Sequence, residues 1–465
     1  MKKAKTSSFI LTLDLKLETY QIHILEKRFN IARQMFNACL GKLLIRYDKM
    51  KKDPRYIENC KQPKGADRNR IFRVLNQEYG LEEYKIHAFV TRMYQHFDRH
   101  IDSNTAQKIA TRAWSSFKDL LYKKAKKVHF KKFGTMDSVE GKTNKSGITF
   151  RGDILKWNGL NIPVVIDKND DYAEKSLTRK IKFCRIQRKI IRGKIKYYVQ
   201  LILEGIPPVK TEKKSGLPKK ESPSSEVGLD IGISTLAMVS NEKVSMVVLC
   251  DDLADMSKEK RRIQRRMDRS RRATNPHKYL PDGTINPQDQ TRWKCSKHYI
   301  TAWYQLKEIE RKLAACRKQS HERLANQVLV MGDVIKVEQM NYKALQKTRY
   351  GKRIGLKAPA MFLTILDRKL HYIGKELIKI NTWKVKASQY DPLSDTYKKK
   401  KLSERWHILE NGIGIQRDIF SAWLIKNVTE NLTEVDRERC VNEFKDFYQE
   451  YQSIIEKVKK EVLIA

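Results

Sequence analysis

The period of the hydrophobic pattern changes along the chain and divides it into segments. Residues 8–17 alternate apolar and polar side chains, which predicts a strand. Residues 19–50 carry an apolar stripe at helical spacing, and helical patterns resume over residues 68–125 after Asp53-Pro54. From residue 126 the period returns to two, which predicts further strands at 127–130, 147–151, 160–166, 181–187 and 194–203.

These segments predict a domain organisation. Residues 1–18 and 126–205 together form a β-barrel, and residues 19–125 form a helical insertion between its strands. Residues 206–225 are rich in Pro, Ser, Gly and Lys, which is typical of a linker. Residues 226–465 form a second, α/β domain. Its predicted strands are 226–239, 245–249, 333–340 and 382–386, and its predicted helices are 258–272, 299–330, 359–379 and 434–461.

Three acids in the second domain stand out because each lies at a defined place on a predicted element. Asp230 lies within the apolar strand 226–239, where burying an unpaired charge costs several kcal/mol. Glu338 ends the apolar strand 333–340, and Asp418 opens a helix. Asp230 taken alone would more often be explained by a tight turn than by a metal site. Carboxylates on three separate elements, however, are what a two-metal phosphodiesterase needs to surround two Mg²⁺ ions.

The charge of the chain predicts a polyanionic partner. Its 96 Lys and Arg residues against 54 Asp and Glu residues leave a formal net charge of +42. Nucleic acid is the predicted partner, whereas a membrane surface is disfavoured because the basic residues are spread along the whole chain. The helix 258–272 is the most basic segment, and we interpret it as a nucleic-acid-binding groove in preference to a solvated face. Its candidate nucleic-acid-binding residues are Arg261, Arg262, Arg265, Arg266, Arg271 and Arg272.

The seven cysteines argue against a disulfide framework. They are odd in number, scattered and never spaced as CxxC, so neither disulfides nor a cysteine zinc site is expected. The basic start is followed by an alternating segment that contains Asp14, which does not fit a signal peptide. No apolar run is long enough to span a bilayer. We therefore expect a cytoplasmic protein with no membrane partner.

The motifs around the three acids resemble a known nuclease family. Asp230-Ile-Gly, Val337-Glu-Gln-Met and Arg417-Asp-Ile are similar to the three motifs of the RuvC nuclease domain, which has an RNase H-like fold. The version is that of TnpB, the RNA-guided nuclease of bacterial insertion sequences that is related to type V CRISPR effectors. The resemblance covers residues 226–425. It implies that Asp230, Glu338 and Asp418 are catalytic residues that bind two Mg²⁺ ions.

The chain departs from this family in two places. The family has a zinc ribbon of two CxxC pairs, but in the corresponding segment 388–412 the four positions are Asp391, Ser394, Ile408 and Asn411. We therefore expect no zinc, with the segment held by packing or left mobile. Gln416 replaces the first acid of the family's Asp-Arg-Asp motif, whereas the catalytic acid is retained as Asp418.

The resemblance implies an RNA-guided DNA endonuclease. Such a protein binds a guide RNA, reads a short motif in target double-stranded DNA and cuts the DNA at the RuvC site with Mg²⁺. Two alternatives remain open. One is an RNA-guided repressor that binds DNA without cutting it, which the altered ribbon allows and the intact triad disfavours. The other is a guide-independent nuclease that assists transposition.

Overall fold

The computed structural model describes residues 6–209, 222–399, 401, 404–409 and 412–464. The chain divides into two compact units, Met1–Lys210 and Thr211–Ala465. Within the described residues no helix combines the length and the apolar character needed to cross a membrane. Both units combine helices with sheets, as the sequence predicts.

Residues 6–209, the described part of the first unit, contain seven strands and six helices. Its strands are β1 (Ser8–Leu15), β2 (Ser138–Glu140), β3 (Thr149–Arg151), β4 (Ile154–Trp157), β5 (Leu160–Val165), β6 (Ile181–Ile191) and β7 (Lys194–Glu204). Its helices are α1 (Thr19–Lys51), α2 (Pro54–Lys61), α3 (Ala66–Glu78), α4 (Glu83–Tyr94), α5 (Ser103–Leu121) and α6 (Asp171–Leu177).

The strands of the first unit form one curled antiparallel sheet in the order β2-β6-β7-β1-β5-β4-β3. Asn144 connects the edge strand β3 to β6 near the opposite edge. Its side chain accepts a hydrogen bond from the backbone N–H of Phe150 at 2.8 Å and donates one to the carbonyl of Phe150 at 3.3 Å, while its own N–H donates to the carbonyl of Lys182. An amide side chain therefore links two strands of the curled sheet that do not pair with each other.

The prediction of a strand at 127–130 is wrong. This segment has no regular structure, and the chain just after it is attached to α1 by Asn37. Asn37 accepts a hydrogen bond from the N–H of Lys131 at 2.8 Å and donates to its carbonyl at 2.9 Å. The Asn37 side chain thus occupies the backbone N–H and carbonyl of Lys131 that a neighbouring strand would need. The local alternation of residue types cannot reveal such a distant contact. The pattern also missed the short strands β2 and β4.

The second unit contains nine strands and eight helices among its described residues. The strands are β8 (Glu226–Ile231), β9 (Thr235–Val239), β10 (Val244–Val248), β11 (Val334–Glu338), β12 (Ile378–Ile380), β13 (Tyr390–Asp391), β14 (Thr396–Tyr397), β15 (Trp406–Ile408) and β16 (Gly414–Gln416). The helices are α7 (Ser257–Thr274), α8 (Lys297–Met331), α9 (Tyr342–Leu345), α10 (Gly351–Lys357), α11 (Pro359–Tyr372), α12 (Thr382–Val385), α13 (Arg417–Lys426) and α14 (Arg437–Ile464).

A mixed five-stranded sheet forms the centre of the second unit, in the order β10-β9-β8-β11-β12. Strands β8, β11 and β12 are parallel, whereas β8, β9 and β10 pair antiparallel. Helices α8 and α11 cover one face with apolar side chains such as Val328 and Phe362. Helices α13 and α14 cover the other face, where Trp423 and Phe447 stack with ring centroids 4.6 Å apart.

Three predictions in this unit need correction. Residues 226–239 are not one strand, because the chain turns after Ile231 and forms β8 and β9. Gly232 allows that turn, since its N–H donates to the carbonyl of Thr235 at 2.9 Å and a Cβ would lie 3.0 Å from the Thr235 hydroxyl. The predicted helix 359–379 ends at Tyr372, and its last residues begin β12. Residues 382–386 are not a strand, because the side chain of Asn381 caps helix α12.

Candidate metal centre at the carboxyl edge of the mixed sheet

The register of two parallel strands places Asp230 beside Glu338. Val337 of β11 pairs with Leu229 of β8, so the next residue on each strand, Glu338 and Asp230, continues the same register. Adjacent strands lie about 4.8 Å apart, and side chains at matched positions of parallel strands point to the same face. The two carboxylates therefore leave the sheet side by side at the carboxyl ends of β8 and β11.

Helix α13 brings Asp418 to the same face, and Gly228 makes this approach possible. A Cβ on Gly228 would lie 1.9 Å from the carbonyl oxygen of Ala422 and 2.5 Å from the backbone nitrogen of Lys426, so no other residue fits beneath the helix. Asp230 lies two strand residues beyond Gly228, about 7 Å away. Asp418 lies one helical turn before Ala422, about 6 Å away along the axis. The helix thus carries Asp418 back towards Asp230.

The three acids, which we call the carboxylate cluster, repel one another. Burial raises the pKa of Asp230 well above its usual range, and the negative charges of Asp418 and Glu338 raise it further. The Arg417 guanidinium and the Ser421 hydroxyl offset this rise only in part. Burial also raises the pKa of Glu338 to about 7. The cluster therefore carries negative charge that its protein neighbours do not balance.

Two residues that the sequence did not single out as site residues contact the cluster. The Tyr342 hydroxyl donates to the carbonyl of Ile231, next to Asp230, at 3.5 Å, and its pKa is raised by burial and then by the charges of Asp230 and Glu338. The Arg417 guanidinium lies 3.3 Å from the Asp418 carboxylate and also donates to the carbonyl of Glu404 at 3.0 Å. Arg417 could have been noticed from its place in the third motif, whereas nothing in the sequence marks Tyr342 as a neighbour of both strands.

Gln416, noted in the sequence only as a replacement, has a structural role. Its side-chain oxygen accepts a hydrogen bond from the N–H of Ile419 at 2.8 Å and so caps the first turn of α13. Its own N–H donates to the Tyr451 hydroxyl at 3.0 Å. Gln416 therefore fixes the start of the helix that carries Asp418.

The donor set fits a hard divalent cation. Carboxylate oxygens are the ligands that Mg²⁺ prefers, and a cation between them would remove the repulsion that raises the pKa of Asp230. Among the described residues, no three His, Cys, Asp or Glu side chains already lie close enough together to hold a metal ion. The three predicted residues come to one edge and one face of the sheet.

Two small hairpins occupy the segment in which the related family has its zinc ribbon. Strands β13 and β14 pair with each other, as do β15 and β16. Of the four predicted ribbon positions, Asp391 is buried and Ile408 is exposed, while Ser394 donates to or accepts from the Thr396 hydroxyl at 2.8 Å. Asn411 lies outside the described residues.

A buried polar pair joins the two hairpins. The Nε2 atom of His407 lies 3.5 Å from an oxygen of Asp391, and both side chains are buried. The His407 ring also stacks on Phe420 of α13, with centroids 4.4 Å apart. Packing of His407 and its neighbours thus holds together the described part of a segment that lacks the zinc-binding thiolates.

The basic helix α7 presents most of its predicted arginines to solvent. Ile263 is its only buried residue and packs against α8. The side chains of Arg261, Arg262, Arg265, Arg266 and Arg272 are exposed, and Arg271 is half-buried. Arg271 and Arg272 both pair with Asp268, at 2.5 and 2.9 Å, and Arg266 donates to Gln305. The helix therefore offers an exposed row of positive charge that begins at Arg261.

Comparison with known proteins gives structural likeness only. No protein-family model and no curated protein matches this chain. A cryo-EM structure of a Cas12f1–sgRNA–target DNA complex is 13% identical, covers 91% of this chain and 99% of that chain, and has a TM-score of 0.46. A CRISPR-Cas12f ternary complex is 14% identical over 87% of this chain and 82% of that chain, with a TM-score of 0.28. The mini RNA-guided endonuclease CRISPR-Cas_phi3 is 13% identical over 59% of this chain and 56% of that chain, with a TM-score of 0.30. Because each of these three TM-scores lies below 0.5, function has to be argued from the residues of this chain.

Proposed function

We propose that this chain is an RNA-guided DNA endonuclease that hydrolyses phosphodiester bonds at an RNase H-like, RuvC-type site with Mg²⁺. The observation that carries this proposal is the carboxylate cluster, in which Asp230, Glu338 and Asp418 come from three elements to one sheet edge and Arg417 only partly offsets the raised pKa of Asp230. The order and directions of the five strands are compatible with that fold. The three sequence motifs that resemble TnpB support the RNA-guided assignment.

Each residue of the site has a specific task in this proposal. Asp230, Glu338 and Asp418 are the ligands of two Mg²⁺ ions, which when bound would polarise the scissile phosphate and activate the attacking water. Arg417 holds the Asp418 carboxylate in place through its 3.3 Å contact, since it is itself fixed by the carbonyl of Glu404. Strands β8 and β11 set the separation of Asp230 and Glu338, because parallel strands in register resist displacement.

The experiment that tests the catalytic assignment compares cleavage with binding. Purified protein with its co-purifying RNA is incubated with target DNA and Mg²⁺. Asp230→Ala should lower the cleavage rate at least about a thousandfold while leaving target binding intact, because it removes a metal ligand worth several kcal/mol in the transition state. Asp367→Ala, which removes an exposed carboxylate on α11, is the matched control and should cut normally.

The same experiment separates the alternatives. A protein that binds RNA and target DNA but never cuts would be the nuclease-silent repressor. A protein that cuts without RNA would be the guide-independent accessory nuclease. Cleavage by Asp230→Ala at the parental rate would overturn the site assignment. We further propose that the protein contains no structural zinc, and elemental analysis that finds stoichiometric zinc would contradict this.

Helix α7 is the proposed contact for the nucleic-acid backbone. Arg262 and Arg265 are exposed and have no ion-pair or hydrogen-bond partner within the described residues, whereas Arg271 and Arg272 share Asp268. Arg262→Ala/Arg265→Ala should weaken binding to all sequences alike and reduce the slope of log K against log salt by about two, since each phosphate contact contributes about 0.9. An unchanged slope would show that the helix is an ordinary solvated surface.

A further inference from the structure

A tryptophan side chain near the carboxylate cluster is almost fully exposed to solvent. Trp383 is 87% exposed, although tryptophan is a residue that proteins usually cover. It lies on α12, directly after β12, whose Ile380 pairs with Glu338 in the parallel register. Trp383 follows Ile380 by three residues, and it therefore lies at the same edge of the sheet as the proposed catalytic carboxylate of Glu338.

The conformation that exposes Trp383 is fixed locally. The side-chain oxygen of Asn381 accepts a hydrogen bond from the N–H of Trp383 at 2.9 Å and so starts the helix. The side chain of Val385, two residues on, is fully buried in the core. The ring is thus held outwards by a capped and anchored turn, and this short helix replaces the strand predicted for the segment.

An open cavity of about 490 Å³ adjoins the ring and contains no carboxylate in its lining. Three amide side chains line it, those of Gln339, Asn341 and Asn381, together with Met340 and Lys343. The Oδ1 atoms of both asparagines accept backbone hydrogen bonds, which directs their amide N–H groups to other acceptors. An aromatic ring can stack on the face of a nucleobase, amides can form hydrogen bonds with its edge, and an ammonium group can pair with the phosphate.

We propose that Trp383 and this cavity bind an unpaired nucleobase of the strand whose phosphate lies at the carboxylate cluster. The base stacks on the Trp383 ring, the amides contact its edge, and Lys343 pairs with the adjoining phosphate. Trp383 is thereby a positioning residue that favours single-stranded over duplex substrate, because a paired base has its face covered by its neighbours. This inference rests on the proposed nuclease function, whose substrate class it specifies.

Binding is measured first, without cleavage. In the Asp230→Ala background and in EDTA, fluorescence anisotropy gives the affinities of a thymidine oligonucleotide and of a duplex of equal length. Trp383→Ala should weaken single-strand binding about fivefold to a hundredfold, the range expected for one stacked base, and leave duplex binding and the salt slope unchanged. Trp383→Phe should keep most of the affinity. Tyr20→Ala, which removes another exposed aromatic ring, is the control and should have no effect.

The outcomes distinguish this inference from the proposed function. Equal affinities for the parent and Trp383→Ala, or an equal loss for duplex and single strand, would overturn the nucleobase site even if the protein cuts DNA. A selective loss that phenylalanine restores would support the site even if wild-type protein failed to cut, in which case only the nuclease assignment would fall. In cleaving protein, Trp383→Ala should raise KM for a single-stranded substrate more than it lowers kcat.

Discussion

Strands β8 and β11 pack with helix α13 into one unit. The buried charges at the two ends of this unit differ in whether they have partners of opposite charge. At one end lies the carboxylate cluster of Asp230, Glu338 and Asp418. At the other end lies what we call the ionic network, made of Glu226, Lys336, Lys426, Arg439 and Glu443. Each of the three elements contributes a charged residue to both ends, so the backbone framework is shared and only the balance of charge differs.

Every charge in the ionic network has a partner. Lys336 pairs with Glu226 at 2.9 Å and donates to the carbonyls of Lys426 and Val428 at the end of α13. Arg439 pairs with Glu226 at 2.5 Å and with Glu443, which also pairs with Lys426 at 2.7 Å. Burial alone would raise the pKa of Glu226, but the bonds from Lys336 and Arg439 bring it below its usual value.

The two ends differ in whether the buried carboxylates have cationic partners. Where the structure needs buried charge for stability, it supplies partners and the carboxyl pKa falls. In the carboxylate cluster burial raises the pKa of Asp230 and of Glu338, and the neighbouring negative charges raise that of Asp230 further than Arg417 lowers it. Uncompensated carboxylates cost stability, and on the proposed function a divalent cation removes that cost.

The largest expected effect comes from breaking the ionic network at Lys336. Lys336→Met leaves the carbonyls at the end of α13 without their donor and Glu226 with one partner fewer. We expect the free energy of unfolding, measured by urea denaturation, to fall by about 3–5 kcal/mol. Lys307→Met removes a half-exposed pair with Glu310 and should cost less than about 1 kcal/mol. Equal losses would mean that the network adds no more than a surface pair.

Magnesium should stabilise the protein through the carboxylate cluster. At a concentration one hundred times the dissociation constant, Mg²⁺ should raise the free energy of unfolding by about 2.7 kcal/mol, since only the folded state binds it. Asp230→Asn should abolish this gain and, in metal-free buffer, leave the protein at least as stable as the parent. Thermal unfolding with and without Mg²⁺ measures both. A gain that persists in Asp230→Asn would place the ion elsewhere.

The two ends should respond oppositely to pH when one glutamate at each is neutralised. The pKa of Glu338 is raised to about 7. In metal-free protein the contribution of Glu338 to the free energy of unfolding is therefore lost as pH rises from the ordinary carboxyl value through 7. Glu338→Gln should therefore stabilise the protein at pH 8 by roughly 3 kcal/mol and have little effect at pH 4.

Glu226→Gln is the opposing control for the pH prediction. The pKa of Glu226 is lowered, so its contribution is present above the ordinary carboxyl value and is lost on acidification. This variant should destabilise the protein at pH 8 and much less at low pH. If both variants shifted stability in the same direction at pH 8, the contrast between the two ends would be refuted.

The smallest effect is expected at the cap of α13. Gln416→Ala removes the acceptor for the N–H of Ile419 and should lower the free energy of unfolding by about 1 kcal/mol. Because Asp418 lies in the capped turn, the variant should also weaken stabilisation by Mg²⁺. Ser296→Ala removes the cap of α8, which accepts from the N–H of Tyr299 at 3.1 Å, and should cost similar stability without changing the response to Mg²⁺.

Much of the secondary structure was predictable because local pattern controls it. The predicted segments 8–17 and 19–50 correspond to β1 and α1, and Glu338 does end β11. Errors arose where a distant or capping side chain overrides local preference. Asn381 turns a segment of strand-like composition into α12, and Asn37 binds the backbone where a strand was expected. A strand was also extended across Gly232, because apolar residues on both sides concealed the turn.

The sequence alone selected Asp230, Glu338 and Asp418 as candidate metal ligands, because a charge within an apolar strand is costly at Asp230 and because the motifs around all three resemble one nuclease family. It does not show that these three acids meet. Their proximity depends on the register of β8 with β11 and on the absence of a side chain at Gly228, which admits α13. The ionic network could not be predicted from the sequence for the same reason, since its members lie up to 217 positions apart, from Glu226 to Glu443. Pairing over such distances is set by packing of the folded chain, which no local pattern of residues records.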